Sequence, residues 1–438
     1  MKKNIVFSQR EFMVLAIPLI ISGISTPILG AVDTAVIGRI PDPASIGGVA
    51  IGAVIFNTLY WLLGFLRVST SGFTAQAEGA NNQTEVLLSF LRPMVLAILF
   101  GLIFVLFQKP ILAAAFLLLG GGEDVQSYAA TYFSIRIWSA PFILASYVII
   151  GWLIGLGKVK LALVTQVVMN VMNIVLDVLF VMGFGMGVEG VALATLIAEI
   201  SGVSLGMLLI YSKDKEKFSK VDMITLLDAG SLVKMMKVNR DLFLRTVCLL
   251  VMTGIFTSMG ASMGEVTLAA NAILLQIQYI MAYFFSGFAN ASSILVGRAI
   301  GGEQYPLYRR AYLLSGQWGL LSAILLALLI FTFGETIVSF FAVNEEVRGM
   351  ANSLLGWMLL FPLVGFWGLQ LEGIFAGATE AKPVRDSIVL ALIVFLAVLW
   401  FFVPVMQNHG LWLAFILFSF SRSFFLSVFI PRVGKGKF

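Results

Sequence analysis

The sequence predicts an all-α integral membrane protein with twelve transmembrane helices, arranged as two six-helix bundles related by a pseudo-two-fold axis along the membrane normal. Three observations predict this fold: the composition, the unbroken apolar runs and an internal repeat. Of the 438 residues, 60% are hydrophobic and only 12% are charged, whereas soluble globular proteins carry roughly 25% charged residues. The composition therefore excludes a cytoplasmic enzyme, a nucleic-acid-binding protein and a secreted disulfide scaffold, and Cys248 is the only cysteine.

The apolar runs are long enough for helices that cross a bilayer, which takes roughly 20 residues each. They are unbroken, whereas the strands of a transmembrane barrel alternate apolar and polar side chains. In chain order, the sequence predicts helices at 12–37, 46–72, 86–107, 128–154, 160–183, 188–211, 241–262, 266–297, 309–333, 350–378, 382–403 and 410–430.

The basic residues predict the orientation, because cytoplasmic loops carry an excess of lysine and arginine. The N-terminal segment, the central polar stretch 212–240 and the C-terminal segment all hold several basic residues. The segments on the opposite side hold only Arg39, Lys109, Arg136 and Arg348. We therefore expect a multi-pass protein of the cell membrane with both termini in the cytoplasm. The net charge of +5 is then a topology signal, and no nucleic-acid partner is expected.

The two halves of the chain resemble each other at an offset near 220 residues. The clearest matches, at an offset of 222, pair Gly151, Gly155 and Lys160 with Gly373, Gly377 and Lys382. The repeat predicts an N-terminal lobe at 1–211, a cytoplasmic linker at 212–240 and a C-terminal lobe at 241–438. Six helices per half give parallel repeats, and two such bundles suit a secondary transporter that works by alternating access. We expect the protein to be a monomer.

Among the carboxylates within predicted spans, where ionisable groups are costly and mark functional sites by default, Asp33 and Asp177 are the strongest candidates. Asp33 lies on the first helix. On the fifth helix, Asn170, Asn173 and Asp177 fall within an arc of about 60° at 3.6 residues per turn. Both helices run outward, so Asp33 and Asp177 lie at similar depth and are expected to approach each other.

The internal repeat supplies a comparison for these carboxylates. At an offset of 220, Asp33 corresponds to Thr253 and Asp177 to Ala397. The second half thus builds a similar scaffold without these acids, which favours a proton or cation site. The alternative is a buried hydrogen-bonded pair that joins two helices.

Repulsion and desolvation both oppose ionisation of two acids in an apolar cavity, so a carboxyl group there can carry a proton. Amide and hydroxyl oxygens can alternatively complete an oxygen shell for Na⁺. Pro27, six residues before Asp33, removes a backbone donor and can bend the first helix. The bend is either coupled to protonation or a tolerated kink.

Other candidates are less specific. Glu372 on the tenth helix and Arg245 on the seventh lie nearer the cytoplasmic side, and the sequence supports a structural ion pair as well as a transport role. Glu199 lies within the sixth span, and the sequence favours neither role for it. Methionine and aromatic side chains can provide an adaptable surface for flat apolar ligands, and the loose candidates for lining a substrate cavity are Met172, Met252, Met259, Met281, Tyr283 and Phe288.

These residues resemble the multidrug and toxic compound extrusion (MATE) family, in particular its DinF-like branch, over essentially the whole chain. The most specific segment is Pro27 to Gly38, which contains Val-Asp33-Thr34. The resemblance implies that Asn173 and Asp177 belong to the family's amino-lobe cation site, and that Thr195 is its accompanying hydroxyl. The segment around Glu372 is similar to the tenth helix of the DinF-like branch.

The sequence departs from the relatives that carry an acid on helix seven, because no carboxylate follows Asp241 there. A carboxyl-lobe Na⁺ site is therefore disfavoured. The resemblance implies an efflux antiporter that exchanges amphipathic, often cationic organic compounds for H⁺ or Na⁺ and needs no other cofactor. A lipid-linked saccharide flippase of the same superfamily is the alternative, although anionic cargo requires several basic residues in the cavity. An intramembrane enzyme is disfavoured because the chain has one histidine, His409, and no recognisable catalytic motif.

Overall fold

The computed structural model describes residues 7–38, 40, 42–218 and 223–438, without the side chains of 27–35, 213–218, 223–224 and 435. Within these residues the chain forms helices and no strand. The helices of the first half are α1 Gln9–Ile37, α2 Pro43–Leu62, α3 Phe65–Gly79, α4 Gln83–Leu106, α5 Gln108–Leu119, α6 Glu123–Arg136, α7 Ala140–Gly155, α8 Val159–Asp177 and α9 Val188–Phe218.

The second half repeats the pattern of long apolar helices. Its helices are α10 Met223–Leu226, α11 Ala229–Ser262, α12 Glu265–Gly301, α13 Tyr305–Phe341, α14 Glu345–Ser353, α15 Leu355–Gly377, α16 Ala381–Met406, α17 Asn408–Val428 and α18 Ile430–Gly436. Among the described residues, eleven helical segments are long and apolar enough to cross a membrane. The 29-residue α1 corresponds to the remaining predicted span.

The observed helices differ from the predicted ones mainly at their ends. The predicted helix 46–72 is divided into α2 and α3 at residues 63–64, and the predicted helix 128–154 contains a 3₁₀ turn, Ile137–Ser139, between α6 and α7. Helices α11 and α13 extend well beyond their apolar centres. Hydropathy locates the apolar centre of a helix, whereas backbone hydrogen bonding continues into the polar flanks and decides where it ends.

Polar residues begin several of these helices by accepting hydrogen bonds from unpaired backbone N–H groups. The side chain of Asn82 accepts from the N–H of Glu85 at 3.0 Å at the start of α4. Before α11, the carboxylate of Asp228 accepts from the N–H of Ser231 at 2.8 Å. That backbone hydrogen bond holds the pKa of Asp228 below its ordinary value, because it stabilises the ionised form.

The described residues form two compact units. The amino-terminal unit holds residues 24–78 and 82–235, and the carboxyl-terminal unit holds residues 7–23, 79–81 and 236–438. In the amino-terminal unit Phe56 stacks on Phe133 with ring centroids 5.1 Å apart. In the carboxyl-terminal unit Phe256 makes an edge contact with Trp412 at 5.0 Å. The boundaries of the predicted lobes at 211 and 241 stay a prediction.

Close packing between helices in the amino-terminal unit depends on two glycines of α7. A Cβ atom at Gly151 would lie 2.5 Å from the carbonyl oxygen of Arg67, and one at Gly155 would lie 2.6 Å from that of Ser71. Both distances are too short for a real contact, so only glycine lets α7 approach the backbone of α3 this closely.

The carboxyl-terminal unit repeats this contact with residues displaced by 222 positions. A Cβ at Gly373 would lie 2.1 Å from the carbonyl oxygen of Ala289, and one at Gly377 would lie 2.3 Å from that of Ser293. The repeat detected in the sequence therefore corresponds to the same helix contact, built once in each half.

Replacing Gly373 with alanine should lower the melting temperature of the purified protein in detergent by several degrees, because the added methyl group forces α12 and α15 apart. The control is Gly254→Ala in α11, where an added Cβ meets no atom within 4 Å. Equal melting temperatures for the two variants would show that the close contact does not limit stability.

Candidate functional site

A stripe of buried polar side chains lies along one face of α8. Asn170, Asn173 and Asp177 are 5%, 4% and 1% exposed, whereas Val171 and Val175 between them are 51% and 55% exposed. The helical spacing of three and four residues therefore places the three polar side chains on the inner face. The valines take the outer face, as expected for a helix with one side towards lipid.

The centre of the stripe is the carboxamide of Asn173. Its Nδ2 atom donates to Oδ2 of Asp177 at 3.1 Å and to Oγ1 of Thr195 on α9 at 3.3 Å. The hydroxyl of Thr195 in turn donates to the carbonyl oxygen of Val191 at 3.1 Å. Because that bond uses the hydroxyl proton, Thr195 presents a lone pair to Asn173. The structure thus brings together three of the predicted cation-site residues.

Asn170 continues the stripe one turn earlier. Its Oδ1 atom accepts from Nε2 of Gln166 at 3.1 Å, and its Nδ2 donates to the hydroxyl of Ser25 on α1 at 3.1 Å. Gln166 and Ser25 did not emerge as candidates from the sequence. The repeat of polar residues at 166, 170 and 173 is the signal that identifies Gln166.

Asp177 is the last residue of α8, and a π-helical turn, Val178–Gly183, follows it. The wider turn closes with a hydrogen bond from the N–H of Phe184 to the carbonyl of Leu179 at 2.9 Å. Turns of this kind are rare and occur often at functional sites. Here the change of helical pitch falls directly after the buried carboxylate.

Asp33 and Pro27 lie on the backbone of α1, but their side chains are outside the described residues. The approach of Asp33 to Asp177 and the bend at Pro27 therefore stay predictions.

A second buried charged group lies in the carboxyl-terminal unit around Glu372 on α15. Its Oε2 accepts from Nη2 of Arg245 on α11 at 2.5 Å, and its Oε1 accepts from Nε of Arg422 on α17 at 2.8 Å. The structure thus brings Glu372 and Arg245 together, as the structural interpretation of these residues anticipates. Sequence reasoning missed Arg422 as a partner because it lies on a different helix, about 50 residues further along.

Asp241 near the middle of α11 is also engaged in ion pairs. Its Oδ1 accepts from Arg385 at 2.8 Å and from the neighbouring Arg240 at 2.8 Å. It is the last carboxylate in α11, so the described part of that helix offers no acid beyond this cluster to pair with Glu372.

The residues suggested for a substrate cavity occupy different environments. Met252 and Met281 belong to the apolar core of the carboxyl-terminal unit, and Met259 packs against that core. Phe288 is 2% exposed, whereas Tyr283 is 38% exposed. Met172 on α8 is half-buried, and a role for these residues in binding substrate stays a prediction.

The amino-terminal unit holds a further charged pair that the sequence did not assign. Glu199 on α9 is 5% exposed, and its Oε1 lies 3.6 Å from Nη2 of Arg136 at the end of α6. Arg136 was placed by the sequence among the basic residues of the outer segments, because charge counting treats every arginine outside an apolar centre as a loop residue. The helical spacing of Glu199 from Thr195, four residues, is a signal that links the pair to the stripe.

The fold and these buried groups define a multi-span membrane transporter. The sequence pattern of the MatE family matches residues 18–179 and again residues 242–403, and the chain belongs to this family. It is 37% identical over 429 residues to "DNA damage-inducible protein F" of Escherichia coli, covering 97% of this chain and 92% of that protein. It is 23% identical to "Probable multidrug resistance protein NorM" of Bacillus cereus, covering 90% of this chain and 88% of that protein.

Solved structures share the fold over nearly the whole chain. A multidrug resistance MATE family transporter of the MOP superfamily has a TM-score of 0.88 at 19% identity and covers 98% of this chain and 97% of its own. A MOP superfamily transporter from Pyrococcus furiosus has a TM-score of 0.86 at 20% identity, covering 97% and 96%. The predicted fold class, an all-α membrane protein of twelve helices in two bundles, is confirmed. The protein is a transporter and not an enzyme.

Replacing Asn173 with alanine should reduce efflux at least tenfold at equal expression, because it removes both hydrogen bonds that hold Asp177 and Thr195 together. Efflux of a fluorescent organic cation from cells measures the change. Val171→Ala, on the lipid-facing side of the same helix, is the matched control. Normal efflux by the Asn173 variant would remove this side chain from the site.

Replacing Glu372 with alanine should lower the free energy of unfolding by about 3–5 kcal/mol, the cost of leaving buried charges without their partner. Thermal unfolding in detergent measures the loss, and Glu335→Ala, an exposed carboxylate on α13, is the control. Unchanged stability with lost efflux would instead assign Glu372 to transport.

Proposed function

We propose that the protein is a secondary active multidrug efflux antiporter, which exports amphipathic, often cationic organic compounds in exchange for H⁺ by alternating access. Coupling passes through Asp33 and Asp177, with Asn173 and Thr195 beside Asp177. Membership of a family of multidrug transporters supports the general activity. The observation that carries the coupling proposal is the buried carboxylate of Asp177, which receives a side-chain donor at 3.1 Å on the inner face of a helix whose outer face carries the exposed Val171 and Val175.

The direction of the hydrogen bonds at Asn173 favours H⁺ over Na⁺. Nδ2 of Asn173 faces both Asp177 and Thr195, so the oxygen atom of the carboxamide points away from them. A Na⁺ ion bound by all three side chains requires the carboxamide to turn its oxygen inward and to break both bonds. A proton requires no such rearrangement, because Oδ2 of a protonated Asp177 can still accept from Asn173.

Protonation of Asp177 changes the strength of the hydrogen bonds that hold α8 and α9 together. The bond from Asn173 to an ionised carboxylate is charge-assisted and roughly twice as strong as its neutral counterpart. Protonation therefore weakens the hydrogen bond from Asn173 to Asp177, which joins successive turns of α8. The carboxamide of Asn173 is then held less firmly, and its second hydrogen bond, to Thr195 on α9, weakens as well. A proton and a cationic substrate also compete electrostatically for the same negative charge, and this competition is what antiport requires.

The predicted cavity residues, Met172, Met252, Met259, Met281, Tyr283 and Phe288, remain the proposed contacts for the apolar part of the substrate. The resistance names of relatives such as the Bacillus cereus protein support an organic substrate. We further propose that the protein acts as a monomer in the plasma membrane with both termini in the cytoplasm. The basic residues of the central linker support that orientation.

A lipid-linked saccharide flippase remains the alternative, but the described arginines argue against it. A pyrophosphate cargo needs cations that are free to bind it. Arg136 lies beside Glu199, and Arg245 and Arg422 both contact Glu372. Of the four arginines that the sequence places near membrane depth, Arg67, Arg136, Arg245 and Arg422, the last three are thus already paired with carboxylates.

Purified protein in liposomes should expel a fluorescent organic cation when a pH gradient is imposed, and a Na⁺ gradient alone should have no effect. Asp177→Asn should abolish the response, because an amide cannot take up the proton, while the protein still reconstitutes. Asp33→Asn should do the same. Exposed Asp124, changed to asparagine, is the control. Transport driven by Na⁺ without a pH gradient would contradict the choice of ion, and wild-type transport by Asp177→Asn would contradict the site.

A further inference from the structure

The buried pair of Glu199 and Arg136 has no role in the coupling scheme described above. Glu199 is 5% exposed, and its Oε2 atom has no hydrogen-bond partner among the described residues. The side chain of Arg136 is 12% exposed, and the 3.6 Å between Nη2 and Oε1 is longer than a charge-assisted hydrogen bond. Buried ion pairs often contribute less to stability than apolar residues of the same volume. Stability alone is therefore a weak reason for this pair.

Arg136 is held in a fixed orientation by aromatic side chains of two helices. Its Nη1 donates to the hydroxyl of Tyr132 at 2.8 Å. Its guanidinium carbon lies 4.7 Å from the centroid of the Phe56 ring on α2 and 6.0 Å from that of Tyr60. Cation–π contacts of this kind stabilise an arginine away from water. The guanidinium group of Arg136 is thus held in place by side chains of α2 and α6, and its attraction to Glu199 links α9 to these two helices.

Glu199 lies one helical turn from Thr195 on α9. Residues four apart share a helix face and are separated by a rise of about 6 Å. Because the hydroxyl of Thr195 is bonded to the carbonyl of Val191, it moves with the backbone of α9. At 3.3 Å, the bond from Asn173 to Thr195 is already at the long end of the range. A small rotation of α9 would break it.

Comparison with the second half of the chain indicates that the shared fold does not require this pair. At the offset of 222 residues that relates the paired glycines, Arg136 corresponds to Met358 and Glu199 to Ser421. The carboxyl half builds the equivalent helices with no charge at either position. The pair therefore occurs only in the half that also carries the stripe of Asn173 and Asp177.

We propose that Arg136 and Glu199 are positioning residues for the coupling site: their attraction fixes the rotation of α9 and thereby keeps Thr195 against Asn173. The other titratable side chains that face the pair are Tyr60 on α2 and Tyr132 on α6. This inference rests on the proposed function for its consequence in transport, but its structural part is independent of the transported ion.

The structural part is tested by disulfide formation between α8 and α9. A Cβ at Gly202 would lie 3.0 Å from that of Met169, so cysteines at these positions are within reach of each other. In a Cys248→Ala background, M169C/G202C should cross-link rapidly. Adding R136Q/E199Q, which leaves no buried charge without a partner, should slow cross-linking several-fold, because α9 loses its electrostatic attraction to α6. Unchanged cross-linking would overturn the proposal, whether or not the protein is an antiporter.

The transport part is tested in liposomes with the double variant R136Q/E199Q, which leaves no unpaired buried charge and is expected to fold where E199Q alone does not. The proton concentration for half-maximal efflux should fall about fivefold, because a loosened Asn173 stabilises the ionised form of Asp177 less and the carboxyl group then takes up a proton more easily. Fivefold is the factor that corresponds to one hydrogen bond of about 1 kcal/mol, and the maximal rate at saturating protons should be retained. Thr195→Ala should give the same shift, and adding it to R136Q/E199Q should change little more. A lower maximal rate with an unchanged proton requirement, or full additivity of the two changes, would contradict a positioning role.

Discussion

The cost of placing a carboxylate inside the membrane is the constraint on which the amino-terminal half of this protein depends. Asp177 is almost completely buried and lies on a helix whose neighbouring residues face lipid. A carboxylate in this position is tolerated only if hydrogen-bond donors surround it or if a bound ligand neutralises its charge. Asn173 donates a hydrogen bond to Asp177, and Thr195 accepts the second hydrogen bond from the same amide. Among the contacts between α8 and α9, the side chain of Asn173 thus forms a hydrogen-bonded link whose strength depends on the charge of Asp177.

The internal repeat shows what the scaffold requires without such a site. In both halves, glycines on one helix admit the backbone of another at distances that no other residue allows. The carboxyl half keeps this packing but has apolar residues where the stripe would lie. It also places its own buried carboxylate, Glu372, between Arg245 and Arg422. At the equivalent positions of the first half lie Ile150, Gly23 and Ile200. The duplicated packing is common to both halves of the fold, whereas the buried charged groups differ between them.

The sequence was sufficient for the features that depend on periodicity and composition. Unbroken apolar runs predicted the helices, and the spacing of Asn170, Asn173 and Asp177 predicted one buried face. The short apolar helix α5 was missed because its 12 residues are too few to cross a bilayer, so they were assigned to the segment between two spans. The division of the second predicted helix into α2 and α3 was missed because hydropathy does not register a local change in backbone direction.

Contacts between helices were harder to predict than the helices themselves. The pairing of Arg422 with Glu372 and of Arg136 with Glu199 depends on how the helices pack, which no spacing along the chain reveals. The family resemblance supplied Thr195, and its hydrogen bond to Asn173 places it beside the stripe.

The central claim, that a buried amino-terminal carboxyl group exchanges a proton for substrate, is tested most directly by counting the protons released when substrate binds. Calorimetric titration of the purified protein with an organic cation, in buffers of different ionisation enthalpy, gives that number. We expect proton release for the wild type, a smaller release for Asp177→Asn, and no dependence on Na⁺. Binding without proton release, or a release that Asp177→Asn leaves unchanged, would contradict the account.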